Sequence, residues 1–310
     1  MQMRSTFGAS LALLSLSAVG SAQLFSDNFD VDTSSNWTVN KANNETGNIA
    51  TFAFDYSTYG IPNAPGSSTS LGLRMQANVT GGVFGGLSAS PNGQSFTGDY
   101  ELRAHVWMNF LGPLSTGGSG TTQLGGMGIG TAGASAQWPG GVQDSVWFAA
   151  TMDGGSASDY RAYSSAAPTS YASGNAVYKA PGGAINNSNS YYSVFGGHAA
   201  PAGQLGLYPS QTGTTAIGAQ GFAWREFVVN KTGNSVLWTI DGLAIAEIDL
   251  TTVTLGGSNI HLMMSDTNAT SATDPNRLNF VVFDNVVVTP EPGTLAVLGL
   301  GLAALRRRKR

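Results

Sequence analysis

Residues 235–249, SVLWTIDGLAIAEID, leave the chain little choice of local structure. Val236, Trp238 and Ile240 alternate with smaller or polar residues into an Asp241-Gly242 pair, after which Leu243, Ile245 and Ile248 resume the apolar series. A period of two is that of a strand with one buried face. Asp-Gly tolerates positive φ at both central positions of a two-residue turn, so the segment predicts a β-hairpin. Residues 101–110 (ELRAHVWMNF) alternate in the same way, setting Leu102, Ala104, Val106, Met108 and Phe110 against Arg103, His105, Trp107 and Asn109. Further strand-like runs cover 145–151, 222–230, 259–264 and 279–289. Away from the two ends no segment has a helical period, and the expected fold class is all-β, a single β-sandwich.

Composition settles that this pattern belongs to a packed domain. Forty-two glycines and only 10% charged residues would suit a disordered chain, but six Trp, ten Tyr and fourteen Phe require a core. No cysteine is present, which removes disulfides, thiolate metal sites and a cysteine nucleophile. The stretch 112–126, rich in Gly, Thr and Ser, reads as a linker. No repeat of fixed period is found.

Both ends carry addresses. Residues 1–22 combine an early cation at Arg4, an apolar stretch over 11–19, and Gly20 and Ala22 before a cut at Gln23, the pattern of a secretory signal peptide. At the other end Pro290, Glu291, Pro292 and Gly293 precede an apolar run over 294–305 and five consecutive cations. Thirteen residues from Gly293 to Leu305 make a helix of roughly 20 Å against a hydrocarbon core of about 30 Å, short for a permanent anchor and suited to a transient one in the inner membrane. Residues 23–289 are then the working domain. Removing Arg4 and the five terminal cations from fourteen leaves eight, against seventeen of the eighteen acids, a net charge of minus 9. An acidic surface of this kind excludes nucleic acid as a partner.

The order Pro-Glu-Pro-Gly, apolar run, basic cluster over 290–310 resembles the PEP-CTERM sorting signal of Gram-negative bacteria. The resemblance implies export through the translocon, cleavage by signal peptidase, and hand-over to a membrane transpeptidase of the exosortase type. It further implies a location at the cell surface, in the outer envelope or outside the cell, with exopolysaccharide as a neighbour. The DG hairpin with its returning IAEI strand, the final FDNVVV (283–288), and the opening LFSDNFD (24–30) with Trp37 resemble the concanavalin A-like jelly roll of lectin and laminin-G domains and some glucanases. That resemblance implies a sandwich of jelly-roll type whose first strand pairs with its last.

Candidate chemistry is sparse. Glu247, Asp249 and Thr252 resemble the family 16 glucanase strand with its second glutamate replaced, so the carboxylate pair that a retaining mechanism needs is incomplete. Asp144, Asp153, Asp159 and Glu226 are the remaining loose acid candidates. Gly128, Gly130 and Gly133 satisfy G-x-G-x-x-G, but ASAQWPGG after them cannot start the helix that a dinucleotide site needs. His105, His198 and His261 are too far apart for a metal motif. Calcium is the one ion considered: pairing of the first and last strands would bring Asp27 or Asp30 near Asp284 and Asn285, all hard oxygen donors.

Between 162 and 224 the only Lys, Arg, Asp or Glu is Lys179. Tyr163, Tyr171, Tyr178, Tyr191 and Tyr192 there sit among Ser, Gly, Ala and Asn, a mixture typical of recognition loops and suited to sugar rings. The expected function is thus a non-catalytic, exported surface or matrix protein that binds glycan. An exported glycoside hydrolase or lyase with an atypical carboxylate pair is the alternative, and a purely structural envelope protein the third reading.

Overall fold

The computed structural model describes residues 23–43, 46–79, 84–110, 122–209, 211–266 and 278–291. The signal peptide and the apolar and basic parts of the tail, with Pro292 and Gly293, lie outside them. No helix among the described residues is long and apolar enough to cross a membrane.

Among the described residues fourteen strands form two antiparallel sheets. The larger contains β1 (Phe25–Asp27), β3 (Ile49–Asp55), β4 (Leu71–Gln76), β6 (Tyr100–Asn109), β10 (Trp224–Thr232), β11 (Ser235–Ile240), β12 (Leu243–Asp249) and β14 (Phe280–Pro290). Its order is β12-β11-β10-β6-β14-β4-β3, with β1 also on β14. The smaller sheet runs β2 (Trp37–Ala42), β5 (Gly85–Pro91), β13 (Asn259–Asp266), β7 (Gln123–Thr131), β8 (Val146–Thr151) and β9 (Tyr160–Tyr163). One short helix, α1 (Ala202–Leu207), follows the tyrosine-rich loops.

The alternation read in the sequence places the core. Leu102, Ala104, Val106 and Met108 of β6, Phe227 and Val229 of β10, and Val236, Trp238 and Ile240 of β11 are all buried. They face Ile260, Leu262 and Met264 of β13, Met127 and Ile129 of β7, and Phe148 of β8 in one apolar cluster. Trp238 stacks on Phe148 across the two sheets at 5.5 Å between ring centroids. Because successive side chains point to opposite faces, every second residue of these strands enters this layer, and its removal from water stabilises the sandwich.

The hairpin between β11 and β12 turns on Asp241 (φ 47) and Gly242 (φ 80), both left-handed as a two-residue turn of this hand requires. A Cβ on Gly242 would meet nothing within 4 Å. Gly242→Ala therefore tests backbone strain alone, and denaturant unfolding is expected to show a loss of about 1 kcal/mol.

Two strand assignments depart from the sequence reading. The linker read over 112–126 ends earlier, because β7 begins at Gln123 and its glycines are strand residues in the middle of the smaller sheet. The last strand-like run, read over 279–289, extends one residue into Pro-Glu-Pro-Gly: β14 runs through Pro290, which is in register with Tyr100. The expected pairing of first and last strands is present, Phe25, Ser26 and Asp27 opposing Val288, Val287 and Val286. β14 changes partner along its length, from β4 at residues 281–283 to β1 at 286–288. Asn285, at φ 50, occupies the irregularity between Asp284 and Val287 where this happens.

Candidate functional site

The outer face of the smaller sheet is filled by the protein's own side chains. His261 and Met263 of β13, Leu124 of β7, Trp147 and Ala149 of β8 and Tyr163 of β9 are buried there beneath Trp138. Trp147 and Tyr163 stack at 3.7 Å with planes 5° apart. The loop carrying Trp138 is tied down by polar bonds: the Trp147 indole donates to Gln143, whose amide donates to the Trp138 carbonyl at 2.9 Å. Gln137 donates its backbone N–H to Ser88 at 3.0 Å and accepts from Ser145 at 2.7 Å. Burial drives the His261 imidazole down to about 3, so it is neutral at any physiological pH. No acidic side chain stands among these residues, whose rings are covered by the protein itself.

Of the acids considered from the sequence, Asp144 and Glu226 stand apart, while Asp153 and Asp159 are close enough that, beyond burial, the charge of the first raises the carboxyl of the second. Asp144 accepts the Ala132 N–H at 3.1 Å in the loop before β8. Asp159 is buried, its oxygens taking the Thr151 hydroxyl at 2.6 Å and the Asn187 N–H at 2.9 Å, and with Asp153 it flanks the far end of β8. Glu226 lies on the other sheet, paired with Arg103, which also holds Glu101. The histidines stay apart as well: His198 faces Arg225 at 3.3 Å, and His105 stands opposite Glu226 in the β6–β10 register.

The tyrosines divide. Tyr163, Tyr178 and Tyr192 are buried, so their rings cannot lie against a sugar, which corrects the expectation for those three. Composition misleads here because loops that cover a sandwich contain the same Ser, Gly and Asn as recognition loops. Tyr192 donates to the Ala184 carbonyl at 2.7 Å and Tyr178 to that of Tyr171 at 2.7 Å, and Tyr160 and Tyr192 stack at 3.9 Å. Tyr171 and Tyr191 are half-buried, and Tyr191 donates to the Ala244 carbonyl at 2.7 Å.

These loops cover the open edge of β12. Lys179 N donates to Ile245 O at 2.9 Å and Glu247 N to Val177 O at 2.8 Å, so the unpaired edge is satisfied. Lys179, the lone charge of its stretch, pairs with Glu247, which also accepts from the Ser235 hydroxyl. Those two bonds hold the Glu247 carboxyl below the usual range. Beside the pair lies a groove of about 370 Å³ lined by Asn234, Ser235, Glu247, Ile248, Asp249 and Thr251. The sequence singled out Glu247 and Lys179 separately, but a separation of sixty-eight positions along the chain hides their pairing.

Of the four residues expected to hold calcium, Asp27 and Asn285 line one groove, and Asp30 stands close enough to Asp284 for its charge to add to burial in raising that carboxyl. Asp27 accepts the Phe29 N–H at 2.9 Å and the Trp37 indole N–H at 2.8 Å, so each of its oxygens takes a hydrogen bond from the chain that follows β1. Asp284 is buried and accepts from the Tyr56 hydroxyl at 3.1 Å and the Asn285 N–H at 2.6 Å. Asp30 accepts from Thr69, and Asn285 donates to the Pro65 carbonyl at 3.2 Å. Among the described residues no three His, Cys, Asp or Glu side chains group closely enough to hold a metal ion. Burial raises the Asp284 carboxyl to about 6, with the charge of Asp30 adding to the effect.

The remaining feature is the end of β14. Val288 is buried, and Thr289 and Pro290 are in register with Glu101 and Tyr100. Glu291 N donates to the Asp99 carbonyl at 3.2 Å, and the Asn230 side-chain amide donates to the Glu291 carboxylate. Residues 288–310 match the PEP-CTERM protein-sorting motif. The chain carries a PEP-CTERM sorting signal. The PEP-CTERM signal implies processing by an exosortase and export to the cell envelope or surface.

No curated protein matches the PEP-CTERM chain. Solved structures similar to it include a protein of unknown function with a galectin-like fold from Bacillus subtilis, 10% identical over 87% of this chain and 96% of that one, TM-score 0.41. A family 16 endo-glucanase from Bacteroides ovatus is 13% identical over 86% and 99% of the two chains, TM-score 0.43. The Emp46p carbohydrate recognition domain is 10% identical over 87% and 98%, TM-score 0.41.

Proposed function

We propose that the folded domain is a non-catalytic, exported β-sandwich of jelly-roll type, delivered to the cell surface or extracellular matrix by its carboxyl-terminal motif, where it binds glycan. The observation that carries the reading is the direct passage of the last strand into the sorting motif. The filled outer face of the smaller sheet, the pairing of Glu226 with Arg103, and the hydrogen bonds that occupy both Asp159 oxygens support the non-catalytic half of it. For the glycan, the groove beside β12 offers what hydroxyl groups bond to: the Glu247 and Asp249 carboxylates, the Asn234 amide and the Thr251 hydroxyl, next to Lys179. Half-buried Tyr191 adds a partly exposed ring on the same loops.

Incubating the exported protein with a panel of polysaccharides tests this. Retention on a glycan without product is expected, and Glu247→Gln together with Asn234→Ala should weaken that retention about tenfold or more. Release of new reducing ends would establish a hydrolase instead. Neither retention nor product would leave a structural envelope protein.

A further inference from the structure

The first residues of the sorting motif are not a free tail. Both sides of β14 are occupied at its end: Leu24 N donates to Val288 O at 2.8 Å on the β1 side, and residues 287–290 pair with 100–103 of β6 on the other. Glu291 leaves the strand but stays on the domain, held through its N–H by Asp99 O and through its carboxylate by Asn230. The orientation of that amide is itself fixed, since the Asn230 oxygen accepts the Thr232 hydroxyl at 2.8 Å and so turns the NH₂ group toward Glu291. The surroundings oppose the docking: burial and the neighbouring carboxylates of Glu101 and Asp99 push the Glu291 carboxyl above its usual range. Asn230 supplies a neutral side-chain donor that offsets this repulsion.

A transpeptidase must take its substrate peptide into its own active site, and a segment whose backbone and carboxylate are engaged by its own domain is withheld from it. We propose that Asn230 is a latch on the sorting signal: the folded domain holds Pro290 and Glu291 against Asp99 and Tyr100, and processing waits on their release. This deepens, and rests on, the reading of the tail as a processed signal. Loss of one hydrogen bond to a charged group raises the population of the released state about tenfold.

The test follows processing of the full chain in an exosortase-bearing host by pulse-chase and mass spectrometry, for the wild type, Asn230→Ala, Asn230→Asp and Gly242→Ala. Asn230→Ala is expected to be processed about tenfold faster, and Asn230→Asp, which sets a further carboxylate against Glu291, at least as fast. Gly242→Ala, destabilised far from β14, should keep the wild-type rate. Processing of both Asn230 variants at the wild-type rate or below would overturn the latch while leaving the sorting signal intact, as would equal acceleration of all three variants. A wild type that keeps its tail in this host overturns the latch and the sorting reading together. Amide exchange of the unprocessed wild type gives a measurement independent of any variant: the Glu291 N–H should be protected, and free exchange there would contradict the proposal.

Discussion

Gly126→Ala should lower the stability of the domain by about 3 kcal/mol, measured by denaturant unfolding, although it adds a single methyl group. A Cβ at Gly126 would lie 2.0 Å from the Phe148 carbonyl oxygen and 2.8 Å from the Ala149 Cα, both backbone atoms of the neighbouring strand that cannot step aside as a flexible side chain could. Gly128 is no roomier, its Cβ meeting the Trp147 Cβ at 2.3 Å and the Val146 carbonyl oxygen at 2.5 Å. Relief requires β7 and β8 to part, and with them the Phe148–Trp238 stack of the core. The contrast with Gly242→Ala is the sharper check, since the same change at an open turn costs only backbone strain. Equal stabilities for the two variants would refute the close approach of β7 and β8.

The wild type should lose about 3 kcal/mol of stability relative to Asp284→Asn as the pH rises from about 3 to 7. The sign follows from the direction of the shift. Burial lifts the folded carboxyl of Asp284 to about 6 from its ordinary 3.8, so the folded protein keeps this proton over a range where the unfolded chain has released it. The contribution is complete below the unfolded value and disappears as the pH rises through the folded one. Asparagine keeps an acceptor for the Tyr56 hydroxyl and the Asn285 N–H but does not titrate. Carboxyls held low by local hydrogen bonds, such as Asp55 and Asp249, act in the opposite sense at lower pH, and they cancel in the difference between the two proteins. Parallel stability curves for the two proteins would contradict the burial of a carboxyl at this position.

What could be read from the residues alone follows from how much of each strand alternates. β6, β10, β11 and β12 each place large apolar residues on one face and polar ones on the other, so their period survives in the sequence. β7 does not, because Gly125, Gly126, Gly128 and Gly130 fall on both faces and erase the contrast that a period needs. β5, GGLSASP, is buried from end to end with only one large apolar residue, Leu87, and small residues carry little hydrophobic signal. At the candidate sites the sequence identified partners without joining them. Lys179 was conspicuous as a lone cation and Glu247 as part of an acidic strand, but only the coverage of the β12 edge brings them together. Asn230 carried no signal at all, since its role depends on the β6–β10 register and on a glutamate sixty-one residues away. The tyrosines erred in the other direction: their setting of small polar residues suits exposed loops, whereas stacking of Tyr160 on Tyr192 shows those rings closing the end of the core.

On the proposed function the carboxyl-terminal motif is an address removed after export, leaving an acidic β-sandwich outside the cytoplasm. Mass spectrometry of terminal peptides from the host's envelope and spent medium tests it most directly. A chain beginning at Gln23 and lacking every peptide of the apolar and basic tail is the predicted result. An intact chain from Met1 to Arg310, soluble in the cytosol, would contradict it.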